Sequence, residues 1–155
     1  MNEALSTREL ELLTLARVSL AVMLGAVIGI ERELAAKPAG LRTHMLVAGS
    51  AALFVGLGDF MVAHFAGAAQ SGALQLDPIR LVEALVTGIA FLGAGTILRE
   101  RDGDGVSGLT TAGSVFFTGI VGVTVAVGQY LLAVGSAVLL LVTLRLVGAL
   151  EKRFL

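Results

Sequence analysis

Apolar residues run along this chain in long blocks separated by short polar connections. Leu12 to Ile30 is apolar apart from Thr14, Arg17 and Ser19, and Glu31-Arg32-Glu33 ends it. A second block runs from Leu41 to Phe65 after a connection containing Lys37, Pro38 and Gly40, and a third from Leu81 to Leu98 after Asp77-Pro78-Ile79-Arg80. Beyond the charged, glycine-rich segment 99–108, one apolar tract extends from Leu109 to Leu150, about twice the ~20 residues that a helical crossing of a bilayer needs. It must turn back once. Gly128-Gln129-Tyr130 is the expected reversal, since glycine frees the backbone while Gln and Tyr suit the membrane interface. The pattern predicts an all-α, polytopic membrane helix bundle of about five transmembrane helices, over residues 12–30, 41–65, 81–98, 109–127 and 130–150. One domain, 1–155, accounts for the whole chain. Transmembrane β-strands would alternate apolar and polar positions over about ten residues, and these runs are apolar all round.

Composition strengthens this picture: 56% of residues are hydrophobic and 15% charged, with mean hydropathy +0.91, too little charge to clothe a water-soluble surface. The lipid bilayer is the expected partner, and a net charge of -1 supplies no basic footprint for nucleic acid. The lack of cysteine removes disulfides, thiolate metal sites and cysteine nucleophiles. Met1 to Glu11 holds three Glu and one Arg, which is not the positive start of a secretory signal, so the first span is expected to be retained. Lys and Arg set the orientation. Arg32, Lys37 and Arg42 fall in the first connection, Arg99 and Arg101 in the third, and Lys152 and Arg153 at the end. Placing these on the cytoplasmic side puts the N-terminus outside and the C-terminus inside, which five crossings satisfy.

Charged groups inside or at the edge of a span are costly unless paired, hydrated or snorkelling, and Arg17, His44, Asp59, His64, Glu83 and Arg145 are in that position. Arg17 either snorkels outward or pairs with Asp59 or Glu83. His44 and His64 lie about 30 Å apart along one helix and cannot share a metal within one chain. Asp59, Asp77 and Glu83 all fall towards the outer face, where carboxylate oxygens suit a hard cation such as Mg²⁺. The competing structural role has Asp77 capping the third span, Pro78 in its first turn and Arg80 pairing with Glu83. On the inner side Glu31, Arg32, Glu33, Lys37, Arg42 and Arg99 are set to form an ion-pair network or to mark the boundary. Gly25 and Gly29 form a GxxxG pair suited to close packing, within the chain or across a homodimer. Gly93-Ala94-Gly95 near the inner end of the third span could unwind to line a polar cavity.

Three stretches, residues 29–33 with 37–44 (Glu31, Arg32, Glu33, Lys37, Gly40, Arg42, Thr43, His44), residues 88–95 (Gly88, Gly93, Gly95) and residues 108–112 (Gly108, Thr110, Thr111), together with Asp77 and Arg80, resemble the MgtC/SapB family of bacterial membrane proteins in order and spacing. The resemblance covers about Val18 to Gly122. It implies a multi-pass protein of the bacterial inner membrane, tied to growth in low magnesium and to survival inside macrophages. It also implies action as a regulator, with the F-type ATP synthase as a membrane partner of virulence-associated members. Phe116 stands where that family usually has Trp. Longer relatives carry a soluble C-terminal domain, whereas Leu155 follows the fifth span directly, so functions of that domain are not expected here.

Two function classes follow. The first is a non-enzymatic protein of magnesium homeostasis that works by contacting a membrane partner. The alternative is a direct transporter or channel for Mg²⁺ or another cation, using Asp59, Asp77 and Glu83 outside and Glu31 inside. Spans four and five offer only Thr118, Thr124, Ser136 and Thr143 as polar groups towards the midplane, few for a hydrated divalent ion. No catalytic residues and no bound cofactor are expected. The sequence has neither HExxH nor a supported serine-histidine-acid grouping, and Mg²⁺ enters as an ion to be carried or sensed.

Overall fold

A computed structural model describes residues 7–70, 77–99 and 106–147. Among them the chain forms five α-helices: α1 (Thr7–Leu34), α2 (Leu41–Gln70), α3 (Pro78–Ala94), α4 (Leu109–Ala126) and α5 (Tyr130–Val142), the last running into a π-helical turn, Thr143–Val147. Among the described residues three stretches are long and apolar enough to cross a membrane: Thr7–Leu34, Leu41–Val62 and Leu109–Ala126. A shorter apolar helix spans Tyr130–Leu146. At 28 residues α1 is about 42 Å long, more than the ~30 Å hydrocarbon core, so its polar first turns extend beyond the apolar block. Arg101, Lys152 and Arg153, and the end of the expected fifth span, lie outside the described residues.

The helices stop where the local chemistry dictates. α1 ends in a Schellman turn: the Lys37 amide donates to the Arg32 carbonyl and the Ala36 amide to the Glu33 carbonyl, with Ala36 at φ 51 and Pro38 blocking any extension. α3 starts at an Asp77 cap followed by Pro78. It ends at Ala94, four residues before the expected Leu98, because the Thr96 amide and hydroxyl both turn back to the Gly93 carbonyl. Gly93-Ala94-Gly95 is therefore a helix terminus and not a break inside a span. The connection that follows departs from a purely helical fold. Leu98–Arg99 pairs antiparallel with Val106–Ser107 in a short two-stranded sheet, and Gly108 at φ 90 then leads into α4. The reversal at residues 128–130 is as expected, with Gly128 at φ 80 and α5 opening at Tyr130.

The bundle is organised around α4, which packs against α1, α2, α3 and α5. Its core is built from small residues: Ala21, Ala48, Ala52, Val121, Val125 and Ala133 are nearly or wholly buried. Leu, Met and Phe side chains cover the outside instead. Such an arrangement suits lipid, where close van der Waals contact between backbones, and not exclusion of water, holds helices together. Gly25 and Gly29 serve this packing inside the chain: a Cβ on Gly25 would stand 2.5 Å from the His44 carbonyl oxygen, and one on Gly29 2.7 Å from Leu41 Cα. Gly122 does the same between α4 and α2, facing the Ala48 carbonyl.

Candidate functional site

Polar groups gather at two places, one at each end of the bundle. The first lies where the C-terminal end of α1 and the N-terminal end of α2 meet the start of α4. Glu31 and Arg32 are buried there although both carry charge. Neighbouring helix residues diverge by about 100° around the axis, so the two side chains must turn towards each other to pair. They do so with both carboxylate oxygens. Arg32 Nη2 donates to Glu31 Oε1 at 2.7 Å, and Arg32 Nε donates to Oε2. The fork geometry of guanidinium on carboxylate makes this the strongest kind of side-chain pair and engages both carboxylate oxygens. Among the described residues it is the one ion pair at this end, narrower than the expected network.

Glu33 and His44 tie the neighbouring backbone into the cluster. Glu33 reaches across the turn, where its Oε2 accepts from the Leu41 amide at 2.9 Å and supplies the cap that α2 lacks locally. Gly40 leaves room for it, since any side chain there would collide with the carboxylate. We expect Glu33→Ala to cost about 1 kcal/mol, as for loss of a helix cap, read as a lower unfolding midpoint in detergent. His44 is fully buried in the first turn of α2. Its Nδ1 lies 2.9 Å from the Gly40 carbonyl, which can only accept, so Nδ1 carries a proton and donates there. Nε2 faces the Ser114 hydroxyl of α4 at 3.1 Å, and that hydroxyl is also 2.8 Å from the Thr111 carbonyl.

Thr111, Ser114 and Thr118 recur at helical spacing, form one buried face of α4, and continue the polar line inward through the Thr118 hydroxyl bonded to the Ser114 carbonyl. Ser114 is absent from the residues singled out in the sequence. The signal that could have found it is the three- and four-residue spacing of Thr111, Ser114 and Thr118 in an otherwise apolar span. Of the other motif residues, Gly93 is buried close to Ala112 of α4, Gly108 sits against the Thr96 carbonyl, and Lys37, Arg42 and Thr110 are exposed.

The second place is a cleft of about 190 Å³ at the opposite end of the bundle, between α2 and α3. Asp59 and Asp77 both line it, among Val55, Met61, Leu81 and Val82. The structure thus brings together two of the three expected outer carboxylates, and Glu83 is exposed on another side of α3. Asp77 Oδ1 accepts from the Ile79 amide at 2.9 Å, and its Oδ2 lies 3.7 Å from Arg80 Nε. Arg80 therefore leans on Asp77 and not on Glu83. Arg17 also differs from the pairing considered above: its Nε donates to the Tyr130 hydroxyl at 3.3 Å beside the α4–α5 turn. His64 is exposed at the same end, edge-on to Phe65. Among the described residues no group of three or more His, Asp or Glu side chains is gathered as a metal site.

Comparison with known proteins places this arrangement in a family. The MgtC family matches residues 18–153. YhiD of Escherichia coli K12, whose name marks it as a candidate magnesium transporter, is 34% identical over 139 residues, which are 90% of this chain and 62% of that protein. An uncharacterised protein of Haemophilus influenzae is 36% identical over 135 residues, 87% of this chain and 56% of the relative. MgtC of Salmonella typhimurium is 38% identical over 122 residues, 78% of this chain and 46% of its own length. The chain thus spans roughly half to three fifths of these relatives. No solved structure matches it. With its apolar helices, its small-residue core and a family match over most of its length, the chain belongs to the MgtC family of membrane proteins.

Proposed function

We propose that this chain is a non-enzymatic, multi-pass protein of the bacterial inner membrane that serves magnesium homeostasis by contacting a membrane protein partner. In this reading five segments cross the bilayer, with the N-terminus outside and the cluster around Glu31, Arg32 and His44 at the cytoplasmic boundary. The observation that carries it is the state of three of the acids. Glu31 gives both oxygens to Arg32, Glu33 caps α2, and Asp77 caps α3 and leans on Arg80. A carboxylate already engaged by a guanidinium or a helix end offers fewer free lone pairs and less uncompensated charge to a divalent cation, which in turn sheds water reluctantly. These groups act as structural fasteners of a rigid bundle whose lipid-facing surface is left for protein contacts. The link to magnesium rests on the family and on the name given to YhiD.

The F-type ATP synthase is the partner to test first, by the family resemblance. Affinity capture of the tagged chain from mild detergent should retain a stable membrane protein partner, and overexpression should lower ATP synthase activity in inverted vesicles. Capture of no partner together with unchanged activity would sink the proposal. The second reading, a cation transporter, is favoured by one observation: Asp59 and Asp77 share the outer cleft.

A further inference from the structure

Two charges of opposite sign stand on a helix face that nothing among the described residues covers. On α3, Ile89 and Gly93 are buried towards the bundle, while Arg80, Glu83, Ala84, Thr87, Gly88 and Phe91 are all exposed. At 100° per residue these six fall on one side of the helix. α3 has 17 residues, about 25 Å, so Glu83 lies roughly 7 Å inside its outer end and within reach of the hydrocarbon. A carboxylate there is costly without a partner, and Glu83 has no ion-pair partner among the described residues. The Arg80 side chain is 81% exposed, and its one ion pair among the described residues is the long contact with Asp77.

We propose that this face of α3 is the interface between two copies of the chain. Copies inserted in the same orientation are related by a two-fold axis along the membrane normal, which makes the interface isologous. Because Arg80 and Glu83 are one turn apart, about 4.5 Å along the axis, each Arg80 can then reach the other copy's Glu83. The face is self-complementary in charge, which is what selects a second copy over a helix of some other protein. Next to these charges the helix is slim. A Cβ on Gly88 would meet nothing within 4 Å, unlike Gly25, Gly29 and Gly122, whose faces are filled within the chain. Ala84 and Gly88 therefore allow two α3 backbones to cross closely, and Phe91, 83% exposed, supplies apolar contact below the crossing.

The absence of cysteine allows a clean test. Ala84→Cys is placed in the full chain, oxidised in isolated membranes and run without reductant, beside Leu131→Cys, whose position on α5 is 90% exposed. A product of twice the chain mass is expected from Ala84→Cys at about tenfold the level from Leu131→Cys, the equivalent of ~1.4 kcal/mol of preference. Adding Glu83→Arg should reduce that product severalfold, and combining Arg80→Glu with Glu83→Arg should restore it. Equal crosslinking at both cysteines, no recovery in the double reversal, or a product containing a different protein would each overturn the proposal.

Discussion

Arg32→Leu is expected to destabilise the protein by about 3–5 kcal/mol, enough to abolish folded accumulation, because it strands the buried Glu31 carboxylate. The Arg32 and Glu31 side chains are only 4% and 8% exposed, so water cannot replace the lost partner. Removing both charges together should be far milder. A Glu31→Met, Arg32→Met variant leaves no unpaired ion, and buried pairs replaced by apolar residues of similar volume are often neutral or better. Unfolding of the purified variants in detergent checks the order: single variant well below wild type, double variant near it. The double variant also separates two roles that the wild type combines. If it folds yet fails to support growth in low magnesium, the pair serves the protein's activity and not only its packing.

The second large effect concerns backbone contacts between helices. Gly25→Leu and Gly122→Leu should each prevent α2 from seating, since even the first added carbon would lie 2.5 Å from the His44 carbonyl oxygen or 2.3 Å from that of Ala48. Overpacking of a tight core usually costs about 1–3 kcal/mol. Here the obstacle is helix backbone, which cannot swing aside as a side chain can, so the upper end or beyond is expected. Gly135→Ala is the control, because a Cβ there meets nothing within 4 Å and alanine favours a helix over glycine by about 1 kcal/mol. Loss of the folded form in the first two variants, with Gly135→Ala at or above wild type, is the expected pattern in a thermal-stability assay.

Most of the helical plan was legible because unbroken apolar runs have one economical solution in lipid, a helix that satisfies its own backbone. The limits of the helices were less so. α1 and α2 extend past their apolar blocks because Glu, Arg and Ala are good helix formers outside the membrane as well. α3 stops early through Gly93, Gly95 and Thr96, and a sheet with two-residue strands is too short to show any periodicity. The capping role of Asp77 was readable from its place before Pro78. Its contact with Arg80 was not, because the choice between Asp77 and Glu83 depends on where the cap holds the free carboxylate oxygen. Likewise His44 stood out, whereas its partner Ser114 is 70 residues away and becomes visible only when α2 and α4 are side by side.

These features lead to one reading, in which Glu31, Glu33 and Asp77 fasten helices and the chain acts through protein contacts. The most direct test is Mg²⁺ uptake into proteoliposomes holding the wild-type chain, with an Asp59→Asn, Asp77→Asn variant beside it and folding of both confirmed. No uptake above protein-free liposomes is predicted for either. Uptake by the wild type that is lost in the variant would contradict this reading, and would make the outer cleft the mouth of a cation path.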